Sequence, residues 1–290
     1  MSAPAPPSVL DAIVAAAWKR VQVARERRSL AELERMLTDE GRVGTTDPTD
    51  GSLRVGTAGL RFLASLEQPG IRVIAECKRR SPSKGVLRAQ YDPVEIAGQY
   101  ADAGAAAVSV LTEPAFFDGA LEHLVAVRAV QPSLPILRKD FTVDEYQIAE
   151  AAVAGASAVL LIVAALEQPV LVRLLAYAAQ VGIDVLTEVH DQEEAHRAID
   201  AGATIVGVNN RNLKTLAVSV ETSHRVAPII ASARVRVAES GLRTGEDLAA
   251  LHAAGYGAFL IGERFMTDVN PGEGLARVIA DARTALEARR

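Results

Sequence analysis

Glu76 and Lys78 stand two residues apart at the end of the apolar run Val73-Ile74-Ala75. On a strand, side chains alternate with a period of two, so both project to one face. A basic loop ending in glycine, Arg79-Arg80-Ser81-Pro82-Ser83-Lys84-Gly85, follows at once. A carboxylate and an ammonium at a strand mouth, beside a cationic loop, suit a small anionic substrate. An ammonium near carboxylates can be a general acid, an anion clamp or a Schiff-base nucleophile, and the residues alone leave these open. Cys77 points the other way, toward a helix layer. With no histidine near it in sequence it reads as a small core residue rather than a nucleophile.

Elements that could hold such a mouth are legible along the chain. Four segments echo one another: Ala103-Gly104-Ala105-Ala106-Ala107-Val108, Ala154-Gly155-Ala156-Ser157-Ala158-Val159, Ala201-Gly202-Ala203-Thr204-Ile205-Val206 and Ala254-Gly255-Tyr256-Gly257-Ala258-Phe259. Each reads as a helix closed by a glycine cap that runs into a buried strand. Apolar runs at 71–76, 135–139, 183–188 and 234–239 supply four more strands. Helical spacing covers 93–103, 120–130, 144–154, 167–180, 191–201, 220–227, 244–254 and 272–286, with Asp191 and Thr244 as N-caps. Alternating strands and helices of this size predict a parallel sheet, and eight such units predict an α/β fold, the (β/α)8 barrel.

In that barrel the C-terminal strand ends form the active site. They carry Glu76 and Lys78, then Lys139-Asp140-Phe141, Glu188, Asn209-Asn210-Arg211, Glu239-Ser240-Gly241 and Gly262-Glu263. A single charge at a strand end is an ordinary solvated loop residue; six of the eight strands ending in polar groups read as a site. Glu188 faces strand 1 across the mouth, with Lys139 and Lys78 both expected beside it. Ser240-Gly241 and Gly262, after strands 7 and 8, fall where barrels bind phosphate. A short helical stretch from Glu263 adds a helix N-terminus there.

Before the barrel, Leu10, Ile13, Val14, Ala17, Val21 and Ala24 recur at helical spacing, and a second helix spans 30–37. Residues 39–58, rich in Gly, Thr, Asp and Pro, read as a linker. The expected organisation is an N-terminal helical extension and linker over 1–58 and the barrel over 59–290, together one domain. The extension either caps the barrel or helps bind substrate.

Composition excludes several classes. Of 290 residues, 49% are hydrophobic and 23% charged, as in a globular protein with a sizeable core. A net charge of −5 argues against a nucleic-acid surface. A single cysteine fits a reducing compartment, and the five histidines lack zinc-ligand spacing. No signal peptide or spanning segment is evident, so the expectation is a cytoplasmic protein without a membrane partner, a monomer or weak homo-oligomer.

The runs Ile74-Ala75-Glu76-Cys77-Lys78-Arg79-Arg80-Ser81-Pro82-Ser83-Lys84-Gly85, Leu111-Thr112-Glu113, Phe117-Asp118-Gly119-Ala120-Leu121-Glu122, Leu137-Arg138-Lys139-Asp140-Phe141, Val208-Asn209-Asn210-Arg211-Asn212-Leu213 and Val237-Ala238-Glu239-Ser240-Gly241 closely resemble indole-3-glycerol-phosphate synthases in order and spacing. The resemblance implies ring closure, decarboxylation and dehydration of 1-(2-carboxyphenylamino)-1-deoxyribulose 5-phosphate in tryptophan biosynthesis, with no cofactor and no metal. It implies Lys139 as the general acid, Glu188 and Glu76 as proton handlers and Lys78 at the anthranilate carboxylate. Asn209 and Arg211 orient the sugar chain; Ser81, Phe141, Glu239 and Ser240 belong to the substrate pocket. Gly241, Gly262 and Glu263 belong to the phosphate cradle. Two positions depart from the pattern. Glu263 stands where many relatives have a small or hydroxyl residue, so its carboxylate must point away from the phosphate. Ala120 replaces a common serine. The rival readings are a Schiff-base barrel enzyme using Lys139 and a catalytically silent binder of a phosphorylated metabolite.

Overall fold

The computed structural model describes residues 8–39, 61–213 and 215–289. Eight parallel strands close into a barrel. They are β1 (Arg72–Cys77), β2 (Ala107–Leu111), β3 (Ile136–Lys139), β4 (Ala158–Ile162), β5 (Asp184–Val189), β6 (Ile205–Asn209), β7 (Val235–Glu239) and β8 (Ala258–Ile261). Each strand pairs with its sequence neighbours, and β1 closes on β8 through Arg72 opposite Ala258 and Ala75 opposite Ile261. The echoed segments are the entries to β2, β4, β6 and β8. Their glycines, Gly104, Gly155, Gly202 and Gly255, have φ between 84° and 94°, the left-handed cap that lets a helix turn straight into a strand.

Helices flank the strands. In chain order they are α1 (Val9–Arg27), α2 (Leu30–Asp39), α3 (Arg61–Leu66), α4 (Pro93–Asp102), α5 (Pro114–Phe117), α6 (Leu121–Val130), α7 (Glu145–Val153), α8 (Gln168–Gln180), α9 (Gln192–Asp200), α10 (Glu221–Val226), α11 (Gly245–Ala253), α12 (Glu263–Met266) and α13 (Pro271–Glu287). Asp191 and Thr244 cap α9 and α11 through bonds from the Glu194 and Asp247 amides. Ala120 caps α6 with no side-chain bond, since alanine has no acceptor to offer. The linker expected at 39–58 lies, beyond Asp39, outside the described residues.

The period of two divides each strand between two cores. Val73, Ala75, Cys77, Val108, Val110, Val159 and Leu161 face the helices, so Cys77 is a buried packing residue as expected. Ile74, Ala107, Leu137, Leu160, Leu186, Ile205, Val237 and Leu260 fill the barrel interior. The interior is thus a solid apolar plug. The next inward position on each strand, two residues on, is the first that can carry a polar side chain into the mouth.

The opposite end is closed by α3, a helix too short to announce itself in the sequence. Phe62, Leu63 and Leu66 enter the interior core. The Leu63 amide donates to Asp184 Oδ2 at 2.9 Å, so a carboxylate at the start of β5 caps the helix from outside its own segment. Of the N-terminal helices, α2 packs on α7 along the side of the barrel. The first turn of α1 reaches the mouth instead, where Val9, Leu10 and Ile13 line the cavity. The start of α1 therefore covers the C-terminal mouth of the barrel, and α3 covers the bottom.

Candidate active site

Strand ends and first loop residues enclose about 500 Å³ at the C-terminal face of the barrel. All the expected residues line it: Glu76, Lys78, Ser81, Lys139, Phe141, Glu188, Asn209, Arg211, Glu239, Ser240, Gly241, Gly262 and Glu263. Inward alternation explains why. Glu76 follows Ile74, Lys139 follows Leu137, Glu188 follows Leu186, Asn209 follows Gly207, Glu239 follows Val237 and Gly262 follows Leu260.

Lys139 is the centre of the site. Its Nζ donates to Glu188 Oε2 at 2.7 Å and to Glu239 Oε2 at 3.0 Å. Asn209 Nδ2 donates to Glu188 Oε1 at 3.1 Å. Glu76 and Glu188 are almost fully buried, as is Glu239, whose Oε1 has no hydrogen-bond partner. Two inward glycines make room for these carboxylates. A Cβ on Gly207 would collide with Glu239 Oε1, and one on Gly262 would stand 2.5 Å from Glu76 Oε1.

Lys78 differs from expectation. It pairs with Glu76 at 2.5 Å rather than reaching Glu188. Lys78 lies just past the end of β1, on the same face as the carboxylate two residues back. Glu188 stands across the mouth on β5. The direct ion pairs therefore fall into two clusters, Glu76–Lys78 and Lys139–Glu188–Glu239, with Glu76 close enough to add to the charge felt by Lys139.

At the other side of the cavity Arg211 Nη2 lies 3.3 Å from Glu263 Oε2 and Nη1 donates to the Leu216 carbonyl. The Glu263 carboxylate is thus drawn toward Arg211, which answers where its charge goes. Ser240 and Gly241 have φ of 63° and 78°, a pair of left-handed residues that forms a concave turn of the kind that receives anions. Phe117 and Phe141 form an apolar wall with ring centroids 6.2 Å apart.

Burial and charge set the protonation states. Burial works against the Lys139 ammonium, but Glu188 and Glu239 outweigh it and raise its pKa above the ordinary lysine value. Burial also opposes the Glu188 charge, yet Lys139 and His190 hold its pKa well below the usual range. Glu239 is pushed up to about 7 by burial; Lys139 opposes the rise and Glu188 adds to it. The pair diverges, one carboxylate firmly ionised and the other able to hold a proton near neutrality. Acid and base roles separate in this way.

Sequence reasoning missed two contributors. His190, just past β5, has Nε2 3.2 Å from Glu188 Oε1 and Nδ1 3.0 Å from Glu194 Oε2. Its signal was present, since residue 190 is one strand period beyond 188 and Glu194 is four residues on. Arg20 on α1 donates to Glu113 Oε1 at 3.0 Å and to Asp140 Oδ1 at 2.7 Å, which ties α1 to the loops after β2 and β3. No spacing in the sequence reveals a contact across so long a separation.

Comparison with known proteins decides the family. A family model described as indole-3-glycerol phosphate synthase matches residues 10–278. The chain belongs to that family. It is 50% identical over 220 residues to the indole-3-glycerol phosphate synthase of Mycolicibacterium smegmatis, covering 76% of this chain and 80% of the relative. It is 50% identical over 211 residues to that of Carboxydothermus hydrogenoformans, covering 72% and 80%. It is a carboxy-lyase with indole-3-glycerol phosphate synthase activity in tryptophan biosynthesis. Solved structures agree on the barrel alone. A mandelate oxidase variant with (S)-mandelic acid matches with TM-score 0.57 at 17% identity, over 89% of this chain and 93% of that one. A 3-hexulose-6-phosphate synthase matches with TM-score 0.56 at 15% identity, over 73% and 99%. Among the described residues, no helix is long and apolar enough to cross a membrane.

Proposed function

We propose that the two ion clusters divide the reaction between them, in the cytoplasm and within a single chain. The substrate, 1-(2-carboxyphenylamino)-1-deoxyribulose 5-phosphate, has three parts that suit three regions of the cavity. The phosphate suits the concave turn at Ser240-Gly241 with Gly262 and the first turn of α12, whose leading amides have no partner within their own helix. The aromatic ring suits the wall of Phe117 and Phe141, and its carboxylate suits Lys78. Ser81 lines the same side, and Arg211 and Asn209 orient the hydroxylated chain.

The ring carbon that bears the carboxylate attacks the ketone carbon. As the new carbon–carbon bond forms, the carbonyl electron pair moves to oxygen, and Lys139 gives that oxygen its proton. The bond to the carboxylate then breaks, its electron pair returns to the ring, and carbon dioxide leaves. In dehydration the new hydroxyl departs as water, with a proton from a lysine ammonium and a push from the ring nitrogen. Glu188, fixed as an ionised carboxylate, faces the resulting iminium and takes the proton whose loss completes the indole. Glu76, paired to Lys78, handles protons on the opposite side.

The observation that carries this reading is the Lys139 ammonium, buried between Glu188 and Glu239 and open to the cavity. A lysine kept protonated there is a poor amine nucleophile, which disfavours Schiff-base chemistry. Replacing Lys139 by Met keeps bulk and removes the proton. The expected result is a fall in kcat on the order of 10²–10⁴ with an unchanged circular dichroism spectrum. Near-wild-type turnover, or covalent trapping of substrate at Lys139 by borohydride, contradicts the assignment.

A further inference from the structure

We propose that His190 is a positioning residue for this reaction: clamped by Glu194, its ring braces Glu188 from behind and keeps that carboxylate ionised while Lys139 gives up its proton. This rests on the reading of Glu188 as the base.

Both oxygens of Glu188 have partners. Oε2 accepts from Lys139, and Oε1 accepts from Asn209. His190 Nε2 stands 3.2 Å from the same Oε1, at an angle too poor for a good hydrogen bond, so it acts as a charge. Nδ1 lies 3.0 Å from Glu194 Oε2, which also accepts the His190 backbone amide at 2.8 Å. Both ring nitrogens therefore stand beside carboxylate oxygens, and two neighbouring carboxylates favour the imidazolium over the neutral ring. Its side chain is 9% exposed and does not line the cavity, so it touches Glu188 and not the substrate. Burial opposes the imidazolium, but Glu188 and Glu194 outweigh it and raise the pKa to about 10.

Charge balance gives this cation its purpose. Lys139 alone serves two buried carboxylates, Glu188 and Glu239. When Lys139 protonates the substrate oxygen its charge is lost. Two carboxylates side by side then compete for a proton, and one taken by Glu188 leaves it unable to serve as the base of the later dehydration. A second, fixed cation on Oε1 prevents that.

The groups around the imidazole are few. Glu188 faces it from β5 and Glu194 from α9; Lys139 on β3 and Glu239 on β7 act through Glu188. Arg197, further along α9, is turned to the Val163 and Leu166 carbonyls. Glu221, His224 and Arg225 of α10 are exposed. The residues of β6, 205–209, and of the 3-10 turn 163–165 include no ionisable side chain.

The test is the pH profile of kcat for His190→Asn, Glu194→Gln and the pair combined, with Glu188→Gln as reference. His190→Asn is expected to lower kcat about tenfold at neutral pH with KM within about twofold of wild type. Its acid limb is expected to move up by about one pH unit. Glu194→Gln, which removes only the clamp, is expected to shift the limb in the same direction by less, and the double variant no further than His190→Asn. If His190→Asn fails to fold, Glu194→Gln decides alone. Profiles that superimpose on wild type overturn the proposal while an inactive Glu188→Gln leaves the Glu188 assignment standing. An active Glu188→Gln overturns both.

Discussion

At the residue scale, the site separates two glutamates of identical chemistry by what surrounds them. Glu188 receives Lys139, Asn209 and the His190 charge; Glu239 has one oxygen on Lys139 and the other unpartnered. Replacing Glu188 by Gln keeps shape and the Asn209 contact but removes charge and basicity. We expect kcat to fall by on the order of 10²–10⁴ with a smaller change in KM, the pattern of an interaction made chiefly in the transition state. Steady-state kinetics across pH check it; an unchanged kcat at the variant's own optimum excludes Glu188 from proton transfer. Glu76, Lys139, Glu188, Asn209 and Glu239 were legible because each ends an apolar strand at an inward position. The partner of Lys78 was not, since the distance across a closed barrel is set by strand tilt and register, which no local pattern carries. His190 was overlooked because a residue past a strand end reads as loop, although the period of two already aimed it at Glu188.

At the element scale, α1 brings Val9, Leu10 and Ile13 over the mouth, and Arg20 anchors it there. Both acceptors keep other bonds without Arg20: Glu113 accepts from the Ala115 and Phe116 amides, and Asp140 from Thr112 and the Phe141 amide. Arg20→Ala should therefore leave the barrel folded and loosen α1. With Arg20 partly exposed, the loss is about 1 kcal/mol, so KM is expected to rise about fivefold with kcat less affected. An unchanged KM shows that the anchor does not serve substrate binding. The helical character of α1 was evident from its apolar spacing, but which end of the barrel it covers was not, because an amphipathic stripe specifies burial without specifying the partner surface. The helix α3 was not read at all. Its six residues are too few for periodicity, and its capping carboxylate, Asp184, lies far away in sequence.

At the scale of the whole molecule, one end of the barrel is built for stability and the other for chemistry, and the bottom has its own pH signature. Burial pushes Asp184 up to about 6 from its ordinary 3.8, against the opposing pull of the Leu63 and Phe62 amides. Between those values the folded chain binds more protons than the unfolded chain, so the stability linked to Asp184 is full below about pH 4 and is lost as pH rises through about 6. Asp184→Asn does not titrate. Its Tm relative to wild type should climb between pH 4 and 6 by on the order of 2–4 °C per kcal/mol recovered, then level off. A constant difference in Tm across that range, measured by thermal denaturation, contradicts it. The eight-stranded architecture was readable because strands buried on both faces are continuous apolar runs and the glycine caps punctuate them. The most direct test of the whole account is to mix the purified protein with the carboxyphenylamino substrate and follow carbon dioxide release together with indole fluorescence, for wild type and Lys139→Met. Equimolar carbon dioxide and indole-glycerol phosphate are expected from the wild type, and both products suppressed together in the variant. Substrate bound without either product, or a variant that turns over as fast as wild type, would contradict it.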